Sequence, residues 1–80
     1  MHPDQLQAAL RHAQQVKSTL SPQALWEVKA TLQGLLEMRQ ASVFMHSGRY
    51  YLCRQGGWVN PIPTTDPDVA LLLAWEMVNE

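Results

Sequence analysis

The spacing of apolar residues changes twice along this 80-residue chain, and that change limits its fold more than any other feature. Residues 4–19 and 22–39 carry apolar side chains every three or four positions, which is the period of one helix face. Residues 42–60 instead alternate as strands do, and residues 67–79 return to a helical pattern that is apolar almost all round. The sequence therefore predicts one α+β domain spanning residues 1–80, with the element order α-α-β-β-β-α.

A short polar break separates the first two predicted helices. Within "TLSP", residues 19–22, Ser21 can cap the second helix, and Pro22 suits its first turn, where a missing N–H costs nothing. Because the link is so short, the two helices are expected to form an antiparallel helical hairpin over residues 4–39. This hairpin and the last helix are expected to pack on the sheet.

Two turn signals divide the central region into a three-stranded antiparallel meander. Ser47-Gly48 and Gln55-Gly56 each fit a two-residue turn, which predicts strands at about residues 42–46, 49–54 and 57–60. With these turns, Leu52 faces Val59 and Cys53 faces Trp58. One face of the sheet then carries Val43, Met45, Tyr50, Leu52 and Val59. The other carries Ser42, Phe44, His46, Arg49, Tyr51, Cys53, Trp58 and Asn60.

The second predicted face mixes three aromatic side chains with a histidine, an arginine and a thiol. Three interpretations are open for it. The last helix covers it in a three-layer domain, or it binds another protein, since aromatic residues and arginine dominate binding hot spots. In the third interpretation it stacks nucleobases.

A proline-rich linker at residues 60–66 precedes the last helix, whose start is marked by Thr65 or Asp66 as a cap and by Pro67. A helix that is apolar nearly all round is either buried on several sides or used to meet another chain. The sequence therefore predicts a homodimer, or a partner groove, that covers Leu71, Trp75 or Val78.

The formal charge of −1 gives the chain no general attraction to nucleic acid or to anionic lipid. The charge is unevenly spread: residues 39–63 hold three arginines and no acid, whereas residues 64–80 hold four acids and no base. The favoured interpretation is that the acidic tail packs beside the basic centre and neutralises it. The alternative is a basic patch left open for a partner.

One cysteine cannot form an internal disulfide, which favours a reducing compartment. Residues 1–20 lack the basic start and apolar block of a signal peptide. The longest apolar run, residues 69–75, is too short to cross a bilayer. The expected location is cytoplasmic, with no membrane association.

The sequence predicts neither a metal site nor a catalytic one. His46 and Cys53 share the mixed face but are expected to lie roughly 13 Å apart, too far for joint coordination. Cys53 has no base in sight, and Asp66 and Asp68 are accounted for as helix-start residues. The protein is expected to be a non-enzyme without a cofactor.

The favoured function is a small adaptor, inhibitor or regulatory subunit that binds a larger protein. The residues predicted to bind the partner are Phe44, Arg49, Tyr51, Arg54 and Trp58. The alternative is an RNA- or single-strand-binding module that uses the same face. Nucleic-acid binding is expected to be weak, because the chain has six basic residues in all and the second helix also exposes Glu27 and Glu37.

Overall fold

A computed structural model describes residues 2–79 and confirms the α+β fold and its element order. The elements are α1 (Pro3–Thr19), α2 (Pro22–Met38), β1 (Ala41–His46), β2 (Arg49–Arg54), β3 (Trp58–Ile62) and α3 (Pro67–Val78). The bounds differ from the predicted ones by a residue or two. The largest difference is at β3, which continues to Ile62, into the segment predicted as linker.

The helix starts follow from local side-chain chemistry. The Ser21 hydroxyl accepts a hydrogen bond from the Ala24 N–H at the start of α2. The Asp66 carboxylate accepts from the N–H groups of Asp68 and Val69 at the start of α3. In both helices a proline occupies the first turn, so the sequence signals for these starts are realised as predicted.

Helix α3 is the centre of the molecule. It packs against α1, α2 and all three strands. This arrangement buries residues over more than half of the circumference of the helix: Val69, Ala70, Leu71, Leu73, Ala74 and Met77. The unusual apolar character of α3 is therefore explained by burial on several sides within one chain.

The two N-terminal helices do not pack as the predicted hairpin. Although two residues link them, α1 and α2 each make their main helix contacts with α3 rather than with each other. α2 also contacts β1, whereas the contacts of α1 centre on α3. The physical reason is the width of the apolar surfaces. α1 and α2 each carry only a narrow apolar stripe, whereas α3 is apolar nearly all round and offers both helices a wider surface to pack on.

The sheet is antiparallel with the order β1-β2-β3. The first turn is as predicted: Ser47 and Gly48 both have positive φ, and Met45 pairs with Tyr50 across the hairpin. The second turn is one residue longer than predicted. Arg54 pairs with Trp58, so Gln55, Gly56 and Gly57 all belong to the loop.

The longer loop corrects the predicted faces of β3. Gly56 and Gly57 both have positive φ, at 90° and 83°, so both glycines are used for the chain reversal and the strand begins one residue later. Cys53 pairs with Val59 rather than with Trp58, and Leu52 pairs with Asn60 rather than with Val59. Because side chains alternate, the one-residue shift exchanges the faces of every β3 residue.

The inner face of the sheet lies against the helices and closes the core. Ala41, Leu52 and Ile62 are buried there in one cluster with Leu36 of α2 and with α3. On the opposite face, every side chain is at least partly exposed, and no helix among residues 2–79 lies over it. The interpretation in which α3 covers the mixed face is therefore wrong: α3 covers the other one.

Within the part of the chain that the structure describes, no helix has the length and apolarity needed to cross a bilayer.

Candidate functional site

The uncovered side of the sheet, here called the outer face, is arranged in three rows by the strand register. At the turn end lie His46 and Arg49, followed by a row of Phe44, Tyr51 and Pro61. The last row contains Ser42, Cys53 and Val59. The face thus has a basic end, an aromatic middle and an end of small side chains.

An aromatic pair forms the middle of the outer face. Phe44 and Tyr51 lie opposite each other on β1 and β2, and their rings stack with centroids 5.5 Å apart and planes 21° apart. Phe44 is 41% exposed and Tyr51 is half-buried. A directly opposed cross-strand pair of this kind restricts both rings, so the outer face presents an ordered aromatic surface to solvent.

The neighbours of this pair are apolar on one side and basic on the other. Val59, 49% exposed, and the exposed Pro61 extend the apolar surface onto β3. His46 and Arg49 are exposed at the hairpin end. None of the outer-face positions holds an acidic residue.

Three of the five residues predicted to bind a partner, Phe44, Arg49 and Tyr51, lie together on the outer face. Trp58 and Arg54 oppose each other on the inner side of the sheet instead. Val59 and Pro61 are the members that the sequence prediction missed. The sequence feature that could have revealed them is Gly57. A loop that includes this glycine starts β3 one residue later and places Val59 and Pro61 on the outer face.

Arg54 serves the packing of α3. Its Nη2 donates a hydrogen bond of 2.6 Å to the Met77 carbonyl oxygen, in the last turn of that helix. A cation is favourable there because the carbonyl end of a helix carries partial negative charge. Arg54 therefore connects β2 to α3 and is not available on the outer face.

Trp58 remains accessible, although it lies at the periphery of the inner side. It is 72% exposed, and its ring lies beside Gly56 of the preceding turn. This position separates it from the Phe44–Tyr51 pair by the thickness of the sheet.

The residues predicted as an interface on α3 differ in accessibility. Leu71 is buried, whereas Trp75 and Val78 are half-buried. The Arg39 guanidinium lies 5.3 Å from the centre of the Trp75 ring, a cation–π contact that joins the end of α2 to α3.

The acids at the start of α3 pair with lysines of α1 and α2, not with the central arginines as expected from the charge distribution. Lys17 contacts both Asp66 and Asp68, and Lys29 Nζ lies 2.6 Å from Asp68. The hydrogen bond from Lys17 holds the pKa of Asp66 below its ordinary value, and the same bond raises the pKa of Lys17. This four-residue cluster fastens both N-terminal helices to α3.

Chemistry-bearing side chains elsewhere are dispersed. No group of three or more His, Cys, Asp or Glu residues within residues 2–79 could hold a metal ion. His12 Nδ1 and Glu76 Oε1 lie 2.7 Å apart between α1 and α3, and this contact joins the two helices. Cys53 is half-buried between Ser42 and Val59 on the outer face, and its Sγ lies 3.9 Å from the Arg54 carbonyl oxygen.

Comparison of the chain with protein-family models, with curated proteins and with solved structures finds no match.

Proposed function

We propose that the protein is a small non-enzymatic interaction module, an adaptor, inhibitor or regulatory subunit of the cytoplasm, that binds a larger protein through its outer face. One observation carries this proposal: the stacked Phe44–Tyr51 pair stands in the middle of a sheet face that the helices of the chain leave uncovered. A small domain can bury only a limited apolar core. An aromatic patch that it leaves exposed to solvent is typical of a surface that binds another molecule.

The arrangement of the face suits a protein partner. Ordered aromatic rings supply apolar area while losing little side-chain entropy on binding, and they are enriched in binding hot spots. Arg49 borders the aromatic row and can hydrogen-bond carbonyl or carboxylate groups of a partner from the rim. Val59 and Pro61 widen the apolar part of the surface.

Affinity capture from a lysate of the native host, with nuclease and without it, tests this proposal. The wild-type protein is compared with Phe44→Ala and Tyr51→Ala. Truncating a hot-spot aromatic costs about 2 kcal/mol or more of binding free energy, which reduces affinity roughly thirtyfold. Both variants are therefore expected to lose the captured protein while remaining folded.

Trp58→Ala is the matched control, because it removes an exposed aromatic side chain of the same small sheet from the opposite side. It is expected to retain the partner. Equal loss of binding in all three variants, or none in any of them, contradicts the assignment to the outer face.

A second candidate is binding of single-stranded RNA or DNA on the same face. The observation that favours it is the row of His46 and Arg49 beside the aromatic row, with no carboxylate on the face. Several other basic side chains are already engaged. Lys17 and Lys29 pair with acids, Arg54 bonds to a carbonyl, and Arg39 lies over Trp75.

Titration of a labelled single-stranded RNA separates the two candidates. With so few available cations, we expect a Kd weaker than about 1 μM at physiological salt and a steep loss of binding as salt is added. Submicromolar binding that persists in high salt and is lost in Phe44→Ala makes nucleic-acid binding the function.

A further inference from the structure

The two edges of the sheet differ in a way that distinguishes one of them as a binding edge. β3 carries Pro61 and is followed by Pro63, and proline on an edge prevents another strand from pairing there. β1, with the sequence "ASVFMH", has neither a proline nor a Lys, Arg, Asp or Glu. It therefore lacks the proline and the charged side chains that commonly block strand addition.

The hairpin register shows which backbone groups of β1 point away from the sheet. His46 and Arg49 close a two-residue turn, so they exchange hydrogen bonds with each other, and pairs of this kind recur at every second residue. The Gln40 carbonyl accepts from the Gln55 N–H at 3.2 Å, which fits the same alternation. The N–H and C=O groups of Ala41, Val43 and Met45 therefore point to the free edge.

A groove of about 360 Å³ runs beside this edge. Residues of α2 form its far wall, the start of β1 forms its near wall, and α3 contributes to its floor. The lining residues are Gln33, Leu36, Glu37, Ala41, Ser42, Val43 and Leu71. The strand contacts of α2 are concentrated on β1, so the helix flanks the edge and leaves a slot between itself and the strand.

The groove carries a negative charge on its wall. Glu37 is exposed there, and none of the basic side chains in residues 2–79 lies within ion-pair distance of its carboxylate. A ligand with a lysine or arginine at this point is therefore electrostatically complementary to the groove.

We propose that an extended segment of a partner protein adds to β1 as a fourth strand of the sheet. The outward backbone groups of Val43 and Met45 bind the main chain of the segment. Every second side chain of the segment is apolar and enters the groove beside Val43, and a basic residue pairs with Glu37. This edge is distinct from the outer face, and the inference does not depend on the function proposed for that face.

The groove favours a single extended segment over a second copy of this chain. Two copies paired antiparallel through β1, about a two-fold axis perpendicular to the sheet, would place both α2 helices on the same side of the joined sheet. Each α2 flanks its own β1, so the two helices would compete for the space beside the joined strands. A segment without a helix of its own meets no such conflict.

A displayed library of random ten-residue peptides, selected against the full chain, tests the proposal. The selected peptides are expected to alternate apolar with polar residues and to include a lysine or arginine. At saturation with such a peptide, the amide N–H groups of Val43 and Met45 are expected to exchange with solvent at least about tenfold more slowly. The Phe44 amide points toward β2 and serves as an internal reference.

Two matched pairs of variants identify the binding edge. Met45→Pro removes an outward N–H group at a residue that is 62% exposed, whereas Met45→Ala keeps that group. Glu37→Lys reverses the charge of the groove wall, whereas Glu27→Lys makes the same change elsewhere on α2. The first member of each pair is expected to weaken peptide binding at least about tenfold, and the second less than about twofold.

Three results would overturn the proposal. In the first, selection yields no peptide that binds the chain. In the second, the selected peptides bind undiminished to Met45→Pro and Glu37→Lys, or they lose binding instead in Tyr51→Ala, on the central strand β2, which would place them on the outer face. In the third, the Val43 and Met45 amides are protected without peptide, increasingly so at higher protein concentration, which would show that a second copy occupies the edge.

Discussion

At the scale of single residues, accessibility separates side chains that hold the fold from those available to a partner. Leu52 is 0% exposed, whereas Trp58, also on the inner side of the sheet, is 72% exposed. We expect Trp58→Ala to lower the free energy of unfolding by less than about 1 kcal/mol. Leu52→Ala is expected to cost about 2 to 5 kcal/mol, because it leaves a cavity in the only core cluster of the described residues. Thermal and urea melts of the two variants measure the difference, and an equally large loss for Trp58→Ala would contradict it.

The Phe44–Tyr51 pair allows a second prediction at this scale. Stacked rings stabilise each other by more than the apolar area that they bury accounts for. We therefore expect a coupling free energy of about 0.5 to 1.5 kcal/mol, near the lower end because the outer face is exposed to solvent. A double-mutant cycle of Phe44→Ala, Tyr51→Ala and the combined variant in urea measures it. Strictly additive effects would show that the rings do not depend on each other for their order.

At the scale of elements, the start of α3 couples stability to pH. The folded state lowers the pKa of Asp66 from the ordinary 3.8, chiefly through the hydrogen bond from Lys17. Asp66 therefore contributes stability that is present above about pH 4 and is lost as the pH falls through its folded pKa. Lys17 has a pKa raised above 10.5, so its contribution is present below that pH and is lost as the pH rises through its folded pKa. Melting temperatures measured across the acid range report the first loss.

Variants of Asp66 separate its charge from its capping role. Asn accepts the same backbone hydrogen bonds, so Asp66→Asn is expected to keep the start of α3 while flattening the acid dependence of stability. Asp66→Ala also removes the cap and is expected to cost about 1 kcal/mol more. An unchanged acid profile in Asp66→Asn would mean that other carboxylates control it.

At the scale of the whole molecule, α3 already packs against the other helices and the sheet of its own chain. The homodimer predicted from the sequence uses the α3 surface at Leu71, Trp75 or Val78, but Leu71 is buried and Trp75 is partly covered by Arg39. We therefore expect light scattering to give the monomer mass of 9.1 kDa at every concentration up to about 100 μM. A mass that rises to twice this value, and falls again in Val78→Asp, would support the homodimer instead.

Local signals were sufficient for the identity and order of the elements. The change of apolar period, the caps at Ser21 and Asp66 and the Ser47-Gly48 turn depend on residues close together in sequence, so they could be read without a structure. For the same reason, Phe44, Arg49 and Tyr51 were grouped correctly: all three lie on β1 and β2, across a turn of unambiguous length.

Contacts between residues distant in sequence decided the features that local signals could not predict. In "QGG", residues 55–57, a two-residue and a three-residue loop are both compatible with the sequence, and a shift of one residue exchanged Trp58 for Val59 on the outer face. Local pattern also could not show that α3 would lie between α1 and α2, or that Asp66 and Asp68 would meet Lys17 and Lys29. The sequence by itself determined which segments are helices and strands, because those preferences are local. Only the tertiary structure decided which face of the sheet stays open, because that depends on which packing of the central helix α3 buries the most apolar surface.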